Sequence, residues 1–202
     1  MSAFSKKEIN FFKKLNTPGK TQDFLNSLKF NFEEDGEMLK SPILTLRKRM
    51  AHCLEGAILG AYILSLHGFP PLILHLQSTK DDYDHVVAPF KQNGFWGALS
   101  KTNHAVLRYR EPVYKNIREL AMSYFHEYFL DTGKKTLRKY SRPLNLNIFG
   151  KSWPIAEKDL WYIDKALDKI KHYNIAPQKA LKNLRKADRV EIKAGKIVEW
   201  KK

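Results

Sequence analysis

One thiol, Cys53, stands at the entrance of an almost unbroken apolar stretch, Leu54 to Leu66. A cysteine attacks a carbonyl carbon as the thiolate, so it needs a base within reach and donors for the oxyanion it creates. His85 draws notice through its spacing from Cys53 and the hairpin that follows it, since it lies in Asp84-His85-Val86-Val87, a strand-like run shortly after the apolar stretch; alone it reads as a half-buried strand residue. Asn93-Gly94 then marks a two-residue hairpin turn between residues 84–91 and 95–102. An ideal turn of this kind sets Val87 opposite Ser100 and His85 opposite Thr102, and alternation puts all four side chains on one face. Ser100, diagonal to His85, or Thr102, directly across from it, would accept from the imidazole. Asn103 falls on the other face unless a bulge shifts it, and Asp82 and Asp84 reach His85 only through an irregular loop.

Two further histidines are set aside. His52 adjoins Cys53, but neighbouring side chains on a helix point apart, which sends it to the surface or into a turn. His75 can neighbour His85, yet no second carboxylate or thiolate stands at ligand spacing, so the pair is not read as a metal site. Without the surrounding pattern, Cys53 itself reads as a small core residue.

The elements that must position these groups begin with a helix over Lys6–Leu15 and another over about 21–28. Glu33-Glu34-Asp35-Gly36-Glu37 is an acidic loop. Ser41-Pro42 opens a helix through Ile43, Leu46 and Arg47. Nothing between Met50 and Cys53 breaks a helix, so the sequence permits either a turn before Cys53 or one continuous helix from Pro42 to His67. The difference is chemical, because only a helix N-terminus offers free N–H groups and a favourable dipole to a thiolate. The apolar stretch reads as a buried helix stopped by Gly68, Pro70 and Pro71, and Leu72–Leu76 as a strand. Pro89 suggests an edge or irregular pairing in the first hairpin strand. Further on, the pattern predicts a strand over 105–110 and an amphipathic helix over 114–129. A punctuated loop over 143–154 follows, then helices over 156–173 and 177–187, and a closing hairpin over 190–200.

At 202 residues and 43% hydrophobic content, the chain can bury a sizeable core. The expected organisation is a core over 1–132 with its N-terminal helices and a basic helical extension over 133–202. Residues 133–202 hold 19 of the 36 Lys and Arg but only 7 of the 21 Asp and Glu, so most of the net charge of +15 sits there. Such a surface suits nucleic acid or an acidic protein; interleaved with an apolar pattern, it also reads as a solvated face. A single cysteine excludes an internal disulfide framework and fits a reducing, cytoplasmic setting. Met1 to Glu8 lack a secretory pattern, and the longest apolar run is too short to span a bilayer, so no transmembrane segment is expected.

Several segments taken together resemble the transglutaminase-like superfamily over roughly residues 41–125: Cys53-Leu54-Glu55-Gly56-Ala57, a helix ending near His67-Gly68-Phe69-Pro70, the strand Leu72–Leu76, Asp84-His85-Val86-Val87 and Phe95-Trp96-Gly97-Ala98-Leu99. The resemblance implies an α+β, papain-like fold with a central buried helix packed on a small antiparallel sheet. It also implies Cys53 as nucleophile, His85 as base, and acyl transfer from a peptide or carboxamide with no metal or organic cofactor. The aspartate that orients the histidine in that family is replaced here by Ser100, which accepts a hydrogen bond but offers no charge; Asp82, Asp84 and Asn103 are the fallback orienters, and the order of preference runs Ser100, Asn103, Asp84. Hydrolysis is favoured over cross-linking, since no separate amine-binding element can be read. The alternatives are a weakened member serving as a basic binding module and, with less support, acyl transfer to a small amine as in arylamine acetyltransferases.

Overall fold

A break in the backbone before Cys53 sets the architecture. In the computed structural model, which describes residues 3–34 and 36–201, helix α3 (Pro42–Lys48) ends at Arg49, whose φ of 57° is left-handed. That conformation usually falls to glycine, and its use by an arginine is why the sequence shows no breaker here. The next two residues form β2 (Met50–Ala51), which pairs in parallel with β1 (Lys29–Phe30), and α4 (Cys53–Ser65) then starts afresh. The continuous helix is thereby excluded. Met1, Ser2, Lys202 and Asp35 of the acidic loop lie outside the described residues.

Before these elements come α1 (Lys6–Lys14) and α2 (Pro18–Asn26); after them β3 (Leu72–Gln77), β4 (His85–Gln92), β5 (Phe95–Ser100), β6 (Arg110–Tyr114) and α5 (Ile117–Met122). The chain continues through β7 (Lys139–Ser141), β8 (Leu144–Asn145), α6 (Trp161–Lys169), β9 (His172–Asn174), α7 (Gln178–Leu181) and α8 (Arg189–Gly195). The result is a mixed α+β fold around a seven-stranded antiparallel sheet in the order β6-β5-β4-β3-β7-β9, with β8 also paired to β3.

Alternation along the strands divides the core in two. Ile73, Val86, Ala88, Phe90 and Leu99 pack under α4, whereas Leu74, Leu76, Val87 and Ala98 pack with Leu120, Tyr124 and Leu137 on the other face. Helix α4 is buried on all sides because it lies between the sheet and the N-terminal helices. Gly56 and Gly60, one turn apart, permit this close approach: a Cβ on Gly56 would overlap the Lys101 side chain, and one on Gly60 would meet Leu99 Cδ1 at 2.9 Å. Pro89 lies past the last β3–β4 pair, Leu74 with Val87, so its missing N–H interrupts no bond on that side.

Several expected elements are shorter or different. The strand expected over 105–110 is a loop, with β6 starting at Arg110, because Leu107 turns left-handed (φ 59°) and gives its N–H and C=O to side chains. The helix expected over 114–129 is reduced to α5 and a 3-10 turn at Phe125–Glu127, since 110–114 pair with β5 and Arg110 bonds Ser123 O. The closing hairpin over 190–200 is helix α8, opened by Asp188, with a single bridge between Val198 and His104. Within 133–202, residues 172–174 form strand β9 where helix was expected, and β7 and β9 extend the sheet beyond β3. Among the described residues no helix is long and apolar enough to cross a membrane.

Candidate functional site

Cys53 is the first residue of α4, and the first intrahelical bond runs from Gly56 N–H to His52 O at 2.9 Å. The Cys53 N–H therefore has no acceptor within the helix and adds to the partial positive charge of the helix start. Glu55, fully buried, locks this corner. One of its oxygens binds the Lys40 ammonium at 2.7 Å and the Lys40 N–H at 3.0 Å; the other accepts from His52 N–H at 3.0 Å and Asn31 Nδ2 at 3.2 Å. A buried carboxylate so fully satisfied ties the segments ahead of α3 and α4 to the N-terminus of α4.

The hairpin places His85 and Ser100 together. Val87 stands opposite Ser100 as the turn requires, and His85 reaches Ser100 on the diagonal, Nε2 to Oγ 2.9 Å. The Ser100 hydroxyl donates its one proton to Leu107 O at 2.5 Å, so it must accept from His85 Nε2–H. His85 Nδ1 is then the nitrogen left for chemistry. Ser100 is held from behind by Gln22 on α2, whose side-chain amide bonds both its N–H (2.9 Å) and its C=O (2.8 Å) as a neighbouring strand would.

His52, expected at the surface or in a turn, is extended (φ −87°, ψ −176°) and half-buried at the N-cap of α4. It therefore escapes the rule that adjacent helical side chains diverge, and its imidazole engages the Cys53 thiol alongside that of His85. His52 Nε2 donates to Met38 O at 3.1 Å. Glu55 stands three residues after His52 at capping-box spacing, but histidine is not among the residues that open such a box, so the sequence did not mark position 52 as an N-cap. No signal pointed to Gln22 or Leu107 either.

Burial alone would push the Cys53 thiol up, but its interactions with His52 and His85 bring it well below the usual value. Burial disfavours the His52 cation, yet the Cys53 sulfur, the Glu55 carboxylate and the Met38 carbonyl raise that group to about 9. His52, Cys53 and His85 open together on a cleft of about 550 Å³. Phe30, Phe32, Tyr128 and Phe129 give it aromatic walls, and Tyr83, 92% exposed, stands at its rim.

The other candidate orienters are committed elsewhere. Asp84 binds His75 Nε2 at 2.9 Å and the Ser78 N–H at 2.7 Å; burial would raise its carboxyl, and these contacts keep it below its usual range. Asp82 accepts from Thr136 Oγ1 at 2.5 Å. Asn103 bonds both backbone groups of Trp200 in the C-terminal segment. Thr102 Oγ1 accepts from His104 N–H at 3.1 Å. Among the described residues, no group of three or more His, Cys, Asp or Glu is arranged to hold a metal ion.

No family model matches the chain, and no curated protein matches its sequence. The chemistry open to the arrangement is that of a sulfur nucleophile at a helix start, with a histidine able to take its proton.

Proposed function

We propose that the protein is a transglutaminase-like thiol enzyme that cleaves a peptide or carboxamide bond through an acyl thioester on Cys53. The observation that carries this reading is the coincidence of three features at one cleft. A cysteine occupies the first position of a buried helix, an imidazole is anchored through Nε2 on Ser100 with Nδ1 free, and the thiol is drawn well below its usual value. A buried structural cysteine requires none of these. The order of parts around them resembles the transglutaminase-like superfamily and its papain-like fold, and a reduced thiol suits a cytoplasmic setting.

In the first half-reaction His85 Nδ1 takes the Sγ proton and the thiolate attacks the carbonyl carbon. The displaced π electron pair becomes an oxyanion facing the N–H groups at the start of α4. Collapse expels the amine, which leaves with the proton from His85. Water then attacks the thioester, giving one proton to His85, and the thiolate departs as the acid is released. Water is the favoured acceptor, since no separate amine-binding element is evident. The test is capture of the thioester on the protein, with Cys53→Ala as the control that must abolish it.

A second reading has its own observation. Lys139, Arg142 and Lys171 lie on or beside β7 and β9 with no ion-pair partner among the described residues, and Lys171 sits 5.1 Å over the exposed Tyr173 ring. A basic patch of this kind at the β9 end of the sheet suits a polyanion such as single-stranded nucleic acid, and it is compatible with a working thiol elsewhere on the molecule.

A further inference from the structure

We propose that His52 is a fixed cation of this site, an imidazolium that keeps its proton through turnover, holds the Cys53 sulfur as thiolate and supplies the charge that Ser100 cannot. This role rests on the thiol chemistry proposed above and divides it between two histidines: His85 carries the mobile proton, and His52 carries none away.

The division follows from what each ring faces. His52 Nε2 points at Met38 O, 3.1 Å away, and a carbonyl can only accept, so this nitrogen holds its proton in every state. The remaining nitrogen, Nδ1, is the one left to face the sulfur. Two carboxylates stand near the ring: Glu55 Oε2 at 3.7 Å from within α4, and Glu33 Oε1 at 3.9 Å from the loop after β1. Asp164 on α6 also feels the His52 charge. Facing the other way are Lys40, which is taken up by Glu55 Oε1, and His85 across the sulfur.

His85 has no such support. Its Nε2–H donates to Ser100 Oγ, which passes its own proton to Leu107 O, and the nearby Asp84 is turned to His75 and Ser78. A hydroxyl dipole orients an imidazole but stabilises its charged form far less than a carboxylate does. His52 is therefore the ring placed to carry a lasting charge, and His85 the ring placed to accept the proton that Cys53 releases and to return it. The rise of His52 to about 9 agrees with a cation there.

The experiment is the pH dependence of iodoacetamide alkylation of Cys53 in wild type, His52→Gln, His85→Ala and the double variant, with an NMR titration of the His52 ring in wild type. The expected result is a thiol midpoint well below 8.5 in wild type that stays depressed in His85→Ala, rises by about one unit or more in His52→Gln, and returns to about 8.5 only in the double variant. The NMR readout does not depend on any variant folding: the His52 ring is expected to stay protonated from pH 6 to pH 8. A midpoint restored by His85→Ala alone, or a His52 ring that titrates near 6.5, overturns the fixed cation while leaving thiol catalysis standing. An ordinary thiol midpoint in wild type overturns both.

Discussion

Ser100 has one proton and spends it on Leu107, so its hold on His85 is a single accepted bond. Removing such a bond costs about 1–1.5 kcal/mol. Ser100→Ala is accordingly expected to lower kcat/KM by roughly tenfold and to leave a folded protein, because the hydroxyl orients the ring without carrying charge. Steady-state kinetics beside a thermal melt check this; a loss of a thousandfold or more with an unchanged melt would show that Ser100 does more than orient. At this scale, the meeting of His85 and Ser100 was legible because hairpin register is arithmetic once Asn93-Gly94 fixes the turn, and Cys53 stood out as a thiol at the entrance of an apolar stretch. His52 was hidden by the assumption that it shares the helix with Cys53. Gln22 was hidden because its bonds to Ser100 join residues far apart in the chain.

Among the elements, α4 and the β4–β5 hairpin were readable from local pattern, whereas the break between α3 and α4 was not, since it depends on a left-handed Arg49 and on pairing with β1. The junction of α4 with β5 carries a second titratable feature. Lys101 is fully buried where the chain leaves β5 against Gly56, its Nζ donating to Leu28 O at 2.5 Å, and burial lowers its ammonium to about 8. Unfolded, a lysine holds its proton to about 10.4, so between about 8 and that value the unfolded chain binds more protons and stability rises with pH. Lys101→Met keeps the packing against Gly56 and removes the titration. Denaturant unfolding at pH 7.5 and pH 10 is expected to show the wild type gaining on the order of 2 kcal/mol relative to Lys101→Met across that interval. An equal response in both proteins would mean that Lys101 does not titrate there.

For the whole molecule, the asymmetry of charge was legible from counting residues, but its placement was not. Strands β7, β8 and β9 come from the basic third, and the segment after α8 returns to the site's flank, where Asn103 bonds Trp200 and Ala105 N–H donates to Ile197 O at 3.0 Å. Short strands of three residues or fewer, such as these three, leave too little periodicity to be seen in advance. If the basic patch around β7 and β9 binds single-stranded nucleic acid, affinity falls steeply with salt, and Lys139→Ala with Lys171→Ala reduces the slope of log Kd against log salt by about one to two. Binding measured by fluorescence anisotropy between 50 and 200 mM salt tests this, and an affinity insensitive to both salt and substitution would rule that surface out.

The central claim, that Cys53 forms an acyl thioester, is met most directly by intact-protein mass spectrometry after rapid acid quench of the protein with an activated peptide ester. The expected result is a mass increase of one acyl group located on Cys53, absent in Cys53→Ala and formed faster than on free cysteine at the same pH. An adduct that persists in Cys53→Ala, or wild-type acylation no faster than that of free cysteine at the same pH, would contradict it.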